Sequence, residues 1–139
     1  MRTDKILRGS YGKVWVGNEL FSAVKQFEAK AKFDFEEVSL AGDLGEHRRL
    51  IGYKCEGTMT MHKIDSTMQR KIGEDYKNGI VPDIRIIAVL DDPTAYGAER
   101  VELTEVTFDE LTLMQFANKE VVEEEVPFKC AGYNFIDLI

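Results

Sequence analysis

Two histidines, two cysteines and 25 carboxylates are the groups of this 139-residue chain that could do chemistry. His47 stands beside Arg48 and Arg49, a cluster that could hold a phosphate or pair with an acidic surface, while His62 falls on the polar side of an alternating segment. Neither has a Ser or Cys in the flanking pattern of a nucleophile elbow, so a catalytic triad is not supported and both read as solvated or interface histidines. Carboxylates are adjacent at Glu36-Glu37, Asp91-Asp92, Asp109-Glu110 and Glu123 to Glu125. Glycosidase-type chemistry would need two of them facing one cleft at a set separation, and in an acidic chain adjacency arises by chance. They read as turns and wet strand faces. Cys55 and Cys130 lie far apart with no CxxC, which points to buried reduced thiols rather than a disulfide framework or a zinc site. Gly9, Gly12, Gly17, Gly42, Gly45, Gly52 and Gly57 build neither GxGxxG nor a P-loop, and no EF-hand pattern occurs. No catalytic residue, cofactor or metal-ligand set is predicted.

The elements that carry these residues follow from composition and periodicity. The length predicts one domain over 1–139, and 44% apolar with 31% charged residues predicts a folded chain. A net charge of -7 argues against a protein that grips phosphate, because such binding needs clustered Lys and Arg, so no specific nucleic-acid binding is expected. No apolar run approaches a membrane span and the N-terminus lacks an apolar signal region, which predicts synthesis in the cytoplasm and no stable membrane association.

Phe21, Ala23, Phe27, Ala29, Ala31, Phe33 and Phe35 recur at odd positions, against Gln26, Glu28, Lys30, Lys32, Asp34 and Glu36 at even ones. This period of two predicts an unusually long strand, dry on one face and wet on the other. A short strand over Lys13 to Val16 precedes it, and Gly17-Asn18 suits a tight turn that would make the two neighbours. Residues 39–52 carry three glycines and no alternation, which predicts a long loop and a first candidate for a functional element. Alternation resumes over Tyr53 to His62. Ser66 can cap a helix over about 66–78 whose Met68, Ile72 and Tyr76 form one apolar stripe, with Gly79 ending it. Further strands are predicted over Asp83 to Leu90, Glu99 to Phe108 and Lys119 to Cys130, and the tail GYNFIDLI is expected to pack. The fold class is mainly β (α+β), an antiparallel β-sandwich or barrel-like subunit of about six or seven strands with one α-helix packed on it.

Long strands with wet faces and open edges endanger a monomer, and pairing with further copies removes the danger. The segment Gly57 to Ser66, GTMTMHKIDS, resembles the strand-to-helix junction of contractile phage tail tube proteins, a family shared by prophage remnants and R-type bacteriocins. Leu90-Asp91-Asp92-Pro93, with Gly97 to Val101 and Val106 to Asp109, resembles that family's central hairpin, and Glu123 to Phe128 its C-terminal strand. The order and spacing agree across nearly the whole chain.

The resemblance implies a structural subunit, not an enzyme. Six copies would form a ring, their sheets joined into one inner barrel, and rings would stack with the long loop bridging to the next. A tail sheath protein would lie outside, with baseplate initiator and tail terminator proteins at the ends, in a virion tail or bacteriocin particle assembled in the bacterial host cytoplasm. Asp43, Glu46, His47, Arg48 and Arg49 are then expected at contacts between subunits or rings. Glu28, Lys30, Lys32, Asp34, Lys54, Glu56, Thr58 and Thr60 are expected to face the lumen, while Phe27, Phe33, Phe35, Met59 and Met61 pack inward. A rival reading is a small-ligand-binding β-barrel whose cavity is lined by Trp15, the phenylalanines and Met59; an enzyme with a scattered acid pair has no motif behind it.

Overall fold

A computed structural model describes residues 3–5, 8–9, 12–21, 23–63, 68–94 and 96–138. Its strands are β1 (Gly12–Val16), β2 (Glu19–Leu20), β3 (Val24–Val38), β4 (His47–His62), β5 (Ile84–Leu90), β6 (Glu99–Phe108), β7 (Glu123–Cys130) and β8 (Gly132–Asp137). Every pairing among them is antiparallel, in the order β2-β1-β5-β6-β7-β4-β3 with β8 on β6. The strand β6 is the corner. Its first part pairs with β5 and β8, Glu105 then takes a positive φ of 50°, and Thr107 and Phe108 pair with β7. Such a kink lets one strand serve two sheets.

The inward faces of both sheets meet in one apolar cluster. Val14, Val16, Ile84, Ile86 and Leu103 come from one side, and Met59, Met61, Val126 and Phe128 from the other. Met68 and Ile72 close it from a helical segment, with Tyr76 partly buried behind them, as the stripe predicts. Phe128 stacks on Phe27 with ring centroids 5.7 Å apart. Gly57 sits at the tightest crossing: a Cβ there would come within 2.2 Å of the Glu28 carbonyl oxygen and 2.6 Å of the Phe128 ring.

The helical segment begins as a wide π turn, Gln69–Gly73, and continues as α1 (Glu74–Lys77). Gly79, at φ 79°, ends it: the Ile80 N–H reaches the Asp75 carbonyl at 2.8 Å and the Gly79 N–H that of Tyr76 at 3.1 Å. That is a Schellman stop, which needs the left-handed residue glycine supplies. The expected cap Ser66 lies outside the described residues.

Several expectations change. Gly17, at φ 64°, does turn a hairpin, but its second arm is the two-residue β2, and the long β3 pairs with β4 instead of β1. The strand expected from Lys119 begins at Glu123, after a turn with Lys119 at φ 64°. The tail forms β8 on β6, yet Phe135, Ile136 and Leu138 are exposed. The described strands number eight because β2 and β8 are too short or too irregular in pattern to read as strands.

A candidate assembly surface

The loop expected over 39–52 is eight residues, 39–46, because β4 already begins at His47 and pairs with β3 along its whole length. Together β3 and β4 outrun the core. No residue from 32 to 54 is buried, so the hairpin leaves the body as an arm carrying solvent on both faces. Phe33 (50% exposed) and Phe35 (43%), expected in the core, lie on this arm because the facing sheet ends before it reaches them.

Register assigns the arm's faces. Glu28 stands opposite Thr58, Lys30 opposite Glu56, Lys32 opposite Lys54 and Asp34 opposite Gly52, with Thr60 opposite Gln26. All eight residues expected at a lumen therefore share one face, since directly opposed side chains point the same way. Strand β7 widens it: Lys129 is opposite Glu56 and Glu125 opposite Thr60. These β7 residues were missed, although Glu123, Glu125 and Lys129 alternate with Glu124, Val126 and Phe128 in the sequence. Lys32 Nζ lies 2.7 Å from Glu56, Lys25 Nζ 2.8 Å from Glu123 and Lys30 Nζ 3.6 Å from Glu28. The Lys32 ammonium holds the Glu56 carboxyl below its ordinary range, and Glu56 raises Lys32 in return. Six carboxylates (Glu28, Asp34, Glu36, Glu56, Glu123, Glu125) meet six cations (Lys25, Lys30, Lys32, Arg49, Lys54, Lys129) on this face, so the chain's net -7 resides elsewhere.

Past Asp34 the ladder slips: Phe35 pairs with Leu50, which leaves Ile51 as a bulge. The bulge separates two neighbours that the sequence grouped together. Arg49 comes opposite Glu36 on the charged face, whereas Arg48 comes opposite Glu37 on the other, its guanidinium 4.2 Å from the Phe35 ring centroid. That other face is aromatic and apolar, with Phe33, Phe35, Leu50 and Tyr53; Tyr53 meets Tyr133 of β8 at 5.6 Å and Tyr133 meets Phe135 at 5.5 Å. At the tip, Asp43 accepts the Gly45 N–H at 2.8 Å and approaches His47 Nε2 at 2.5 Å. Those two contacts hold the Asp43 carboxyl below its ordinary range. Glu46 is exposed beside them, and Leu44 is fully exposed.

At the far end of the same sheet, the chain between β6 and β7 exposes Leu113, Met114, Phe116 and Val121. The Lys63 N–H to Val122 carbonyl bond of 2.8 Å ties that segment to the end of β4 remote from the arm. Apolar surface is thus displayed at both ends of the strands.

A tightly hydrogen-bonded carboxylate follows the end of β5. Asp92, with a fully buried side chain, accepts the Arg8 Nε–H at 2.7 Å, the Arg8 Nη2–H at 2.9 Å, and N–H and O–H donors of Thr94 at 3.0 and 2.9 Å. These donors, Arg8 first, hold its carboxyl far below the usual range. A groove of about 670 Å³ is bordered by Val14, Phe27 and Leu90 but not by Trp15 or Met59, and Met59 is completely enclosed in the core. Among the described residues no three His, Cys, Asp or Glu side chains gather as a metal site.

The chain matches the family described as phage tail tube protein over residues 1–137. It belongs to the phage tail tube protein family. It is 31% identical over 135 residues to the phage-like element PBSX protein XkdM of Bacillus subtilis (strain 168), covering 92% of this chain and 88% of that protein, and equally to the uncharacterised protein YqbM of the same strain. Among solved structures, this tail tube protein superposes on the tube-terminating cap of the anti-feeding prophage with TM-score 0.78 at 10% identity, covering 99% of this chain and 95% of the other. The sheath-tube complex of an extracellular contractile injection system gives 0.73 at 12%, covering 98% and 95%. The SPP1 tail tube gives 0.68 at 13%, covering 94% and 78%. At such identities the likeness is one of fold.

Proposed function

We propose that this tail tube protein is the wall subunit of a contractile tail tube, in which six copies close a ring and rings stack into a hollow conduit. The observation that carries the reading is the β3–β4 arm, whose two faces are exposed and chemically opposite. Its charged face, with Glu28, Lys30, Lys32, Asp34, Lys54, Glu56, Thr58 and Thr60, lines the bore. Its aromatic face turns away from the lumen towards protein. Among the described residues no strand pairs with the outer edge of the 15-residue β3, and a neighbouring copy's sheet completes it. The tip, with Asp43, Glu46, His47, Arg48 and Arg49, reaches the adjacent ring.

In the same reading a sheath protein surrounds the tube, baseplate initiator and terminator proteins bound it, and assembly takes place in the bacterial host cytoplasm before the particle leaves as a virion or bacteriocin. A near-neutral wall suits a conduit, because it neither traps nor repels a polyanion strongly. Its role is structural, without catalysis.

Negative-stain imaging of the concentrated full chain, alone and with its baseplate initiator, tests this. Six-fold rings or tubes are expected. A chain that stays monomeric under both conditions overturns the reading.

A further inference from the structure

Cys55 and Cys130 face each other directly across β4 and β7, and theirs is the first pair of that ladder. Cys55 is buried and Cys130 is half-buried. Their position is particular. Strand β7 ends at Cys130, the Ala131 N–H turns away to the Thr104 carbonyl, and β4 runs on into the arm paired with β3. The pair therefore sits at the root of the arm, where the β4–β7 ladder stops.

Directly opposed residues in an antiparallel ladder hold their Cβ atoms about 4.5–5.5 Å apart, and a disulfide needs about 3.5–4.5 Å, so closure asks for a small local shift. Access comes from one side: Cys130 and Lys129 border an open groove of about 550 Å³ that also touches Val81, Asp83 and Glu105.

We propose that Cys55 and Cys130 form a redox latch, in which a small disulfide entering through this groove converts the pair to a cross-strand disulfide that clamps β4 to β7 at the arm's root. The Cys130 thiol gives its proton to water and the thiolate attacks one sulfur of the small disulfide, making a mixed disulfide and expelling one thiolate. Cys55, deprotonated in turn, attacks the Cys130 sulfur and expels the second thiolate. Two protein thiols are oxidised, one small disulfide is reduced to two thiols, and the two released protons end on those thiols. Burial, with Cys55 alongside, pushes the Cys130 thiol up to about 12. The thiolate is accordingly scarce at neutral pH, so the latch stays open in a reducing cell and closes slowly after release into an oxidising medium.

The latch concerns the folded chain itself and stands whether or not the tube reading does. The full chain, incubated with oxidised glutathione between pH 7 and pH 10, is followed by intact mass and thermal unfolding. Expected are loss of two hydrogens without lasting glutathionylation, a rate rising close to tenfold per pH unit, and a melting midpoint higher by roughly 10 °C once the cross-link closes a long loop. In Cys55→Ser the glutathionyl group should remain on Cys130. A wild-type chain that retains the glutathionyl group, or that forms disulfide-linked dimers on a non-reducing gel, overturns the proposal.

Discussion

The Arg48 guanidinium lies over the Phe35 ring at 4.2 Å, on the face of the arm opposite to Arg49 and Glu36. One bulged residue, Ile51, produces this separation: without it, parity along β4 would send Arg48 to the charged face and Arg49 to the aromatic one. The arm is thereby equipped for two environments at once, an aqueous one and an apolar one.

The aromatic face should matter for assembly and not for folding. Replacing Phe35 and Leu50 together with alanine removes two exposed side chains that no core residue depends on, so the melting midpoint should stay within about 2 °C of wild type, as for other surface changes. Tube yield by sedimentation should fall at least tenfold. Undiminished tubes would show that this face does not bind protein.

The charged face can be tested by reversing its balance. Glu28→Lys, Glu56→Lys and Glu125→Lys in one chain turn a nearly neutral wall strongly positive. Tubes of this variant should retain a fluorescent single-stranded oligonucleotide during sedimentation, with retention falling steeply as salt rises, while wild-type tubes retain little at any salt. Equal retention by both would place the face away from the bore.

Gly57 tests the packing beneath that face. A methyl group there meets backbone at Glu28 and the Phe128 ring, neither of which can give way cheaply. Gly57→Ala should cost roughly 3 kcal/mol, read as a loss of about 10 °C in melting midpoint. Gly52→Ala, with open space around its Cβ position, should leave the midpoint nearly unchanged and serves as the control.

Asp92 sets an acid limit. Its folded-state carboxyl is held well below its unfolded value of about 3.9, so the unfolded chain binds more protons in acid and stability falls as pH drops through and below that value. Above about pH 5 the contribution is complete and level. Urea midpoints measured from pH 6 down to pH 2 should decline steeply for wild type and more gently for Asp92→Asn, which begins less stable at pH 6. Parallel curves would remove Arg8 and Asp92 from the account of acid sensitivity.

Much of this was legible in the residues. Alternation alone put the eight charged and polar residues of β3 and β4 on a common face, because side chains in a strand point to opposite sides with a period of two whatever lies around them. The apolar stripe of Met68, Ile72 and Tyr76 and the stop at Gly79 were equally local matters of helical spacing and a left-handed glycine. Register and reach were not local. Gly17-Asn18 gave no sign that its hairpin would stop after two residues and leave β3 to pair with β4, since partner choice depends on surfaces distant in sequence. Phe33 and Phe35 continue the same odd-numbered pattern as Phe27, yet only Phe27 is packed. Periodicity reports which way a side chain points; whether another layer stands there to cover it was decided by where the second sheet ends.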